Sequence, residues 1–441
     1  MTRRFAVVGG GISGIAAAYY LRRIGIDAEI LEKSERLGGR IGSCRLGDRW
    51  LDFGGKNIGR RYRRFREFTS SLGENPYEYF GINSSQVRDG RIVTFDSKRR
   101  WTSMFDILRH CSKRDLLRFA RMAFAIKRDE ANGFLGSRYF DRVGERFDDR
   151  PARSYFGDEF CRRILRPMTV RMNGAEPDEV FLGNLGSNIK MVLDSYDQLS
   201  LGMKRVLDQF ADTVTVRLGA SVESIAPVDG GKVALSVSNA SGGPAQHVYD
   251  GVVLATTARL TARIVADAAP ALSHLLADVR YYPVTLVLAK YNRAIFTPAM
   301  RALVFGEDEP ISNAGSYGVD DLDIVRYTFS GRAARTLLDG RTDTEALLDL
   351  AEERLNRYVP VSRNDREAFV GQRFEHGLCA YTDHIGRFRS GLETELRALP
   401  GVHLAGDYLR GASIEACFHS AEDVANTIRL RGVSGRRGLT Y

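Results

Sequence analysis

The chain opens on an uninterrupted apolar run, Phe5-Ala-Val-Val8, short enough to read as a buried strand. Glycine takes over at once: Gly9, Gly10, Gly11, Ile12, Ser13 and Gly14 fit G-x-G-x-x-G. Residues 15–25 carry a helical pattern that begins with alanines, and a second run, Ala28-Glu-Ile-Leu31, ends in Glu32. From residue 60 to 200 the hydrophobic period lengthens. Residues 60–72 predict an amphipathic helix with Tyr62, Phe65 and Phe68 among arginines, and residues 116–128 predict another, beside which Arg114, Arg118, Arg121 and Arg128 share one face. Residues 156–173 and 183–193 continue the helical, aromatic-rich stretch, and residues 202–211 predict one more helix.

Alternation then returns. Strands are predicted at 214–216, 220–225 and 232–238, with a turn at Gly242-Gly243 and an apolar strand at 250–255. Strands at 282–291, 324–330 and 369–373, with a helix at 345–358 that stops ahead of Pro360, predict a mixed sheet. Residues 402–407 predict a strand running into Gly406-Asp407. A helix follows from Ser413 to Thr427, and the Gly- and Arg-rich tail after Arg429 is expected to be loose. The fold class is α/β. Residues 1–60, 200–258 and 390–432 are expected to form one domain, 61–199 a helical module, 259–389 a mixed-sheet domain and 433–441 a tail.

Strand, glycines, helix, strand and acid in this order predict a dinucleotide site. Gly9 allows the tight turn, Gly11 lets the backbone approach a pyrophosphate, and Gly14 lets helix and strand pack closely. The helix start offers free N–H groups to phosphates, and Glu32 can accept from ribose hydroxyls. An ordinary glycine-rich βα turn is the plainer reading, but it leaves Glu32 unexplained. Lys33-Ser-Glu-Arg-Leu-Gly38-Gly39-Arg40 extends the signal, with Arg40 a fork of donors for phosphate or ribose. Leu51-Asp-Phe-Gly54-Gly55-Lys56-Asn57-Ile58-Gly59 is another glycine-punctuated loop.

Composition narrows the classes. A chain of 441 residues has room for two or three domains. No stretch has the length of a membrane-spanning helix, and Thr2-Arg3-Arg4 leads straight into the first strand without a signal peptide. The five cysteines are scattered and no zinc spacing occurs, so a reducing cytoplasm is expected and a metal site is not. The net charge of +9 comes with arginine and lysine crowded between residues 88 and 128. No nucleic-acid motif accompanies them, so an anionic substrate, an anionic membrane surface or plain solubility explain the charge better. A solvated outer face is favoured over membrane contact for the basic helix.

The glycine-rich βαβ unit, the E-x(n)-G-G-R segment ending at Arg40 and the D-x-G-G-x-x-x-G loop from Asp52 to Gly59 resemble the flavin-containing amine oxidase and protoporphyrinogen oxidase superfamily. The segment Leu-Ala-Gly-Asp-Tyr-Leu-Arg-Gly-Ala-Ser-Ile-Glu-Ala-Cys, residues 404–417, resembles the C-terminal FAD motif of the protoporphyrinogen oxidase-like branch. The resemblance implies a Rossmann-like FAD-binding domain of the GR2 type with a discontinuous α+β substrate domain. It implies FAD held by Gly9, Gly11, Ser13, Gly14, Glu32, Lys33, Gly39, Arg40, Gly54, Gly55, Lys56, Asn57, Val222, Gly406, Asp407, Ser413 and Ile414. The residue matching Val222 packs at the adenine end, Asp407 meets the ribityl–pyrophosphate region, and the helix near Ser413 aims at the flavin N1/O2 edge.

Catalytic candidates are Lys56, Tyr381 and His384. Lys56 offers a charge beside flavin or an anionic substrate, against the alternative of a lysine pointing to solvent. His384, in Cys379-Ala-Tyr-Thr-Asp-His384, can be a general base, although a structural histidine is the more ordinary role. Cys417 and His419 read as packing residues of the last helix. The amine oxidases of the superfamily carry a lysine on the strand beside the flavin. Here Leu286 falls at about that position and Lys290 stands four residues on, some 13 Å away at about 3.3 Å per residue. Ser413 stands about where one ring of an aromatic amine-binding pair is expected. The reading favoured is FAD-dependent hydride removal from a C–H bond of an organic, ring-containing or conjugated substrate, a dehydrogenation or desaturation with oxygen or another acceptor. The alternatives are a flavin-dependent amine oxidase, a non-redox flavin isomerase or cyclase, and a flavin-free binding protein resembling GDP-dissociation inhibitors.

Overall fold

The computed structural model describes residues 3–88, 91–96, 108–239, 242–338 and 343–437. A five-stranded parallel sheet stands at the centre, in the order Thr215–Arg217, Asp27–Leu31, Arg4–Val8, Gly251–Leu254 and Val402–Leu404. Its strands come from segments up to four hundred residues apart. The central strand is apolar on both faces because both are covered. Val7 faces the helices Ile12–Arg23 and Ile414–Arg437, where Ala16, Ala17 and Ala18 keep the packing close. Ala6 and Val8 face a three-stranded antiparallel layer, Ala220–Val228, Lys232–Asn239 and Gly242–Tyr249, together with the helix Ala258–Val265.

A seven-stranded mixed sheet forms the second body, ordered Arg366–Tyr381, Arg280–Tyr291, Ile324–Phe329, Asn313–Ser316, Ala302–Val304, Asn83–Arg88 and Arg91–Asp96. Period-2 alternation splits its central strands between two cores. Val287, Ala289, Val325 and Tyr327 pack under the helix Thr344–Asn356, while Leu286, Leu288 and Ile324 face Phe53 and Tyr317. The helical block comprises Lys113–Arg128, Arg138–Phe147, Arg166–Asn173 and Leu185–Leu193, with a π turn at Cys161–Leu165 just ahead of Arg166.

Four expectations change. The stretch from residue 61 to 199 is not purely helical: Tyr77–Tyr79, Asn83–Arg88 and Arg91–Asp96 are strands, and Ala302–Val304 pairs in parallel with Asn83–Arg88. Gly242 already pairs with Asn239, so Gly242-Gly243 begins a strand rather than forming a turn; residues 240–241 lie outside the described residues. The last helix extends to Arg437 in place of a loose tail from Arg429 or 433. In the helix Lys113–Arg128, Arg118 turns inward over the Phe156 ring, 5.6 Å from its centre, leaving Arg114, Arg121 and Arg128 on the exposed face. Residues 89–90 and 97–107 of the basic stretch lie outside the described residues. No described helix is long and apolar enough to cross a membrane.

Candidate active site

The glycine turn is built as its residue types require. Gly9 has φ +103°, and a Cβ there would stand 3.2 Å from the Ala255 carbonyl oxygen. A Cβ on Gly14 would lie 1.8 Å from the Gly9 carbonyl oxygen, so only glycine lets the helix start this close to the strand. Gly11 is different: nothing lies within 4 Å of a Cβ placed on it, and no side chain caps the helix that begins at Ile12. The open space faces free helical N–H groups. Ser13 is buried one residue further in.

Glu32 is buried and ties this turn together. Its Oε2 accepts from the Gly10 N–H at 2.6 Å, and its Oε1 accepts from the Ser34 N–H and Oγ at 2.8 and 2.6 Å. Its carbonyl accepts from the Ala220 N–H at 2.9 Å, which sets the strand carrying Val222 beside it. Val222 packs its side chain into the core, so any contact it offers a ligand comes from the backbone. Lys33 is exposed.

The remaining pieces converge on the same opening. Gly38 bridges to Gly11, and Gly39, at φ +52°, would bring a Cβ within 3.3 Å of the Gly11 Cα. Arg40 donates to Asp407 Oδ2 at 2.6 Å, and Tyr281 donates to Asp407 Oδ1 at 2.7 Å. Burial works against the Arg40 cation, but the Asp407 carboxylate outweighs it and holds the guanidinium above its ordinary pKa. The Gly406 N–H donates to Ser420 Oγ at 2.9 Å. A Cβ on Gly54 would meet the Arg40 carbonyl oxygen at 1.9 Å, and one on Gly55 would touch Ile414 at 3.5 Å. Ser413 caps the last helix by accepting from the Ala416 N–H at 3.1 Å. Asn57 Oδ1 is buried without a partner. The empty volume at Gly11, an uncapped helix start, an orphaned amide oxygen and a ring of uncovered glycine backbone fit a long, phosphate-bearing, planar-ended ligand. FAD meets that description.

Lys56 lies enclosed rather than in solvent. Its ammonium sits 4.5 Å from the ring centres of both Phe80 and Tyr317, and donates to Gln198 Oε1 at 3.4 Å. Burial, then the charge of Arg326, lowers its pKa to about 7, against the opposite pull of Asp52. Asp52 is itself buried, accepting from Ser43 Oγ at 2.5 Å and from the Met203 N–H at 3.0 Å. A cavity of about 260 Å³ opens here, lined by Lys56, Asp52, Gln198 and Tyr317 among others. Arg326 reaches the flavin-loop side of this cluster, donating to the Gly54 carbonyl at 3.2 Å.

Tyr381 and His384 stand elsewhere. Both occupy the left-handed region, φ +64° and +43°, a strain of about 1–3 kcal/mol each. Tyr381 is buried and its hydroxyl accepts from the Ala412 N–H at 2.8 Å, bracing the segment just before Ser413. His384 faces Asp149 at 3.1 Å and lines a separate cavity of about 610 Å³ with Phe181, Arg280 and Phe388. It shares no described hydrogen bond or ring contact with Lys56. His419 packs against Phe134 at 4.6 Å, and Cys417 is buried with its thiol pushed up to about 12 by desolvation. Sequence reasoning missed Tyr281, Tyr317 and Arg326. For Arg326 a signal existed, a lone cation in the apolar strand Ile324–Phe329.

Comparison with known proteins follows this geometry. The family model described as flavin containing amine oxidoreductase matches residues 12–429. The chain is 26% identical over 188 residues to a probable flavin-containing monoamine oxidase A of Dictyostelium discoideum, a match spanning 40% of this chain and 38% of that protein. A protoporphyrinogen oxidase-like protein from Exiguobacterium sp. 255-15 superposes with a TM-score of 0.72 at 18% identity, over 98% of this chain and 99% of that one. Putrescine oxidase bound to putrescine superposes with a TM-score of 0.72 at 15% identity over 98% and 99%. At such identities the superpositions speak for the fold alone.

Proposed function

The chain belongs to the flavin containing amine oxidoreductase family, and from that premise we propose that it is an FAD-dependent oxidoreductase acting on a C–H bond of an organic, ring-containing or conjugated substrate. The reaction is a dehydrogenation or desaturation, with oxygen or another acceptor taking the electrons. FAD supplies the hydride acceptor at its N5. This chain's residues supply the rest: Glu32, Arg40 and Asp407 hold the dinucleotide, and the apolar wall of Leu286, Leu288 and Tyr317 shapes the space beside Gly54-Gly55.

The observation that carries this reading over simple amine oxidation is Leu286. It occupies the strand position at which the resemblance leads one to expect an amine oxidase lysine, and it is packed in an apolar cluster with Phe53. Lys290 does not substitute for it, being paired with Glu367 at 2.7 Å on the surface. Positioning a C–H bond over N5 in a flat apolar pocket can provide much of the rate without such a lysine. Lys56, whose pKa is lowered to about 7 so that charged and neutral forms coexist at neutral pH, is the group we assign to receive or hold a proton beside the reacting centre. An anaerobic bleaching screen with large conjugated or ring-containing compounds tests the reading: rapid flavin bleaching by one of them supports it, and bleaching only by small primary amines refutes it.

A further inference from the structure

We propose that Arg171 and Arg326 together seat an anionic group, a carboxylate, of the substrate, with Lys56 as the third cation of the cluster. The inference rests on the reading that an organic substrate is oxidised beside Gly54-Gly55, and it names the class of that substrate.

Arg171 lies on the helix Arg166–Asn173, which is clamped against the inner end of the mixed sheet. Ser330 Oγ donates to the Val170 carbonyl at 3.2 Å, and Asn173 Nδ2 donates to the Cys379 carbonyl at 2.7 Å. On the same helix Arg166 is fully satisfied, donating to both oxygens of Glu176 at 2.8 and 3.4 Å and to the Phe305 carbonyl at 3.1 Å. Arg171 has no hydrogen-bond or ion-pair partner among the described residues. Its side chain is open to space, yet desolvation by the surrounding protein lowers its pKa. Open and desolvated together describe a group facing an enclosed space rather than bulk water.

Arg326 is the second half of the seat. It donates to the Gly54 carbonyl, its Nε is buried without a partner, and it forms no ion pair among the described residues. Behind desolvation, the like charge of Arg171 helps lower the pKa of Arg326, and the like charge of Arg326 helps lower that of Lys56. Three cations held within electrostatic reach, two of them unpaired, are unfavourable in a desolvated interior. An anion relieves both the repulsion and the missing hydrogen bonds, and guanidinium forks match a carboxylate two bonds at a time. The sheet face that carries Arg326 also carries Leu286, Leu288 and Ile324, so the body attached to the carboxylate is apolar.

The test uses purified holoprotein in the oxidised state. Acetate, benzoate and 4-phenylbutyrate, with uncharged 4-phenylbutyramide as control, are titrated by calorimetry and by perturbation of the visible flavin spectrum. The variants are Arg171→Met, Arg171→Lys and Arg326→Met, each checked for flavin content and flavin midpoint potential. 4-Phenylbutyrate is expected to bind about tenfold or more tightly than the amide. Arg171→Met and Arg326→Met are each expected to erase that preference at unchanged flavin content, with Arg171→Lys keeping part of it. Equal binding of acid and amide, no carboxylate binding at all, or an Arg171→Met variant with wild-type carboxylate affinity would overturn the proposal. So would an Arg171→Met variant that moves the flavin potential while keeping the carboxylate preference, since the charge would then serve the flavin. Wild-type protein purified without flavin would strike the underlying reading instead, leaving the acid-versus-amide comparison to judge the seat by itself.

Discussion

Arg40 and Asp407, 367 residues apart in sequence, meet at 2.6 Å. Their contact joins the segment after the first βαβ unit to the mouth of the last helix. Tyr281, from the mixed sheet, holds the other carboxylate oxygen at 2.7 Å. Three parts of the chain are thereby fixed around one carboxylate, so replacing it loosens the whole opening. Asp407→Asn keeps the shape and removes the charge. It is expected to weaken FAD retention about 10- to 100-fold, the loss of a charge-assisted hydrogen bond of roughly 1.5–3 kcal/mol. Equilibrium dialysis of the reconstituted apoprotein measures it, and unchanged affinity would make the pair purely structural.

Glu32→Ala is expected to have an effect of similar size, about 10- to 100-fold on FAD affinity. It removes the acceptor for the Gly10 N–H and for Ser34, and with them the carboxylate proposed to receive the ribose hydroxyls. Fluorescence titration with FAD measures it; an unchanged dissociation constant would reduce Glu32 to a brace for the turn.

FAD is expected to be bound without a covalent link. The thiol of Cys417 is buried and its pKa is pushed up to about 12, so little thiolate exists to attack the flavin at neutral pH. Acid precipitation should release all flavin to the supernatant, and yellow pellets would contradict this.

Lys56 sets a pH dependence. Its pKa is lowered to about 7, so the folded protein gives up this proton near neutrality while the unfolded chain keeps it to the ordinary lysine value. Between these limits the unfolded state binds more protons, and the contribution of Lys56 to stability rises with pH. An inflection near pH 7 is expected in the rate of anaerobic flavin reduction, and Lys56→Met should remove it.

His403 works at the acid end. Burial, with Arg431 and Arg3 nearby, lowers its pKa to about 4. From about pH 6.5 down to about 4 the unfolded chain takes up a proton that the folded protein refuses, so stability falls over that window. His403→Leu should flatten part of the decline in melting temperature between pH 6.5 and 4.5. A slope equal to wild type would show that the imidazole is not held neutral.

Much of the cofactor cradle was legible because its signals are local. The turn from Val8 to Gly14 needs glycine at fixed offsets, and Glu32 follows at the end of the next strand. The strands Asn83–Arg88 and Arg91–Asp96 gave no such signal: Asn-Ser-Ser-Gln-Val-Arg lacks alternation, and the sheet edge recruits it through backbone pairing. The end of the last helix is hidden in the sequence because Gly432 and Gly435 argue against a helix there. Each costs only about 1 kcal/mol in a helix, and the apolar face through Ile428 anchors the turns before them. Arg171 could not be picked from a stretch that also contains Arg162, Arg163 and Arg166. Which arginine lacks a carboxylate is a tertiary fact.

The central claim is tested most directly by stopped-flow flavin reduction without oxygen. Benzylamine and putrescine are compared with a panel of large ring-containing and conjugated compounds, with and without a carboxylate. The expected result is fast bleaching of the visible flavin band by at least one large substrate, and little or none by the two amines. Rapid reduction by benzylamine or putrescine, at a rate comparable with the best large substrate, would contradict the account.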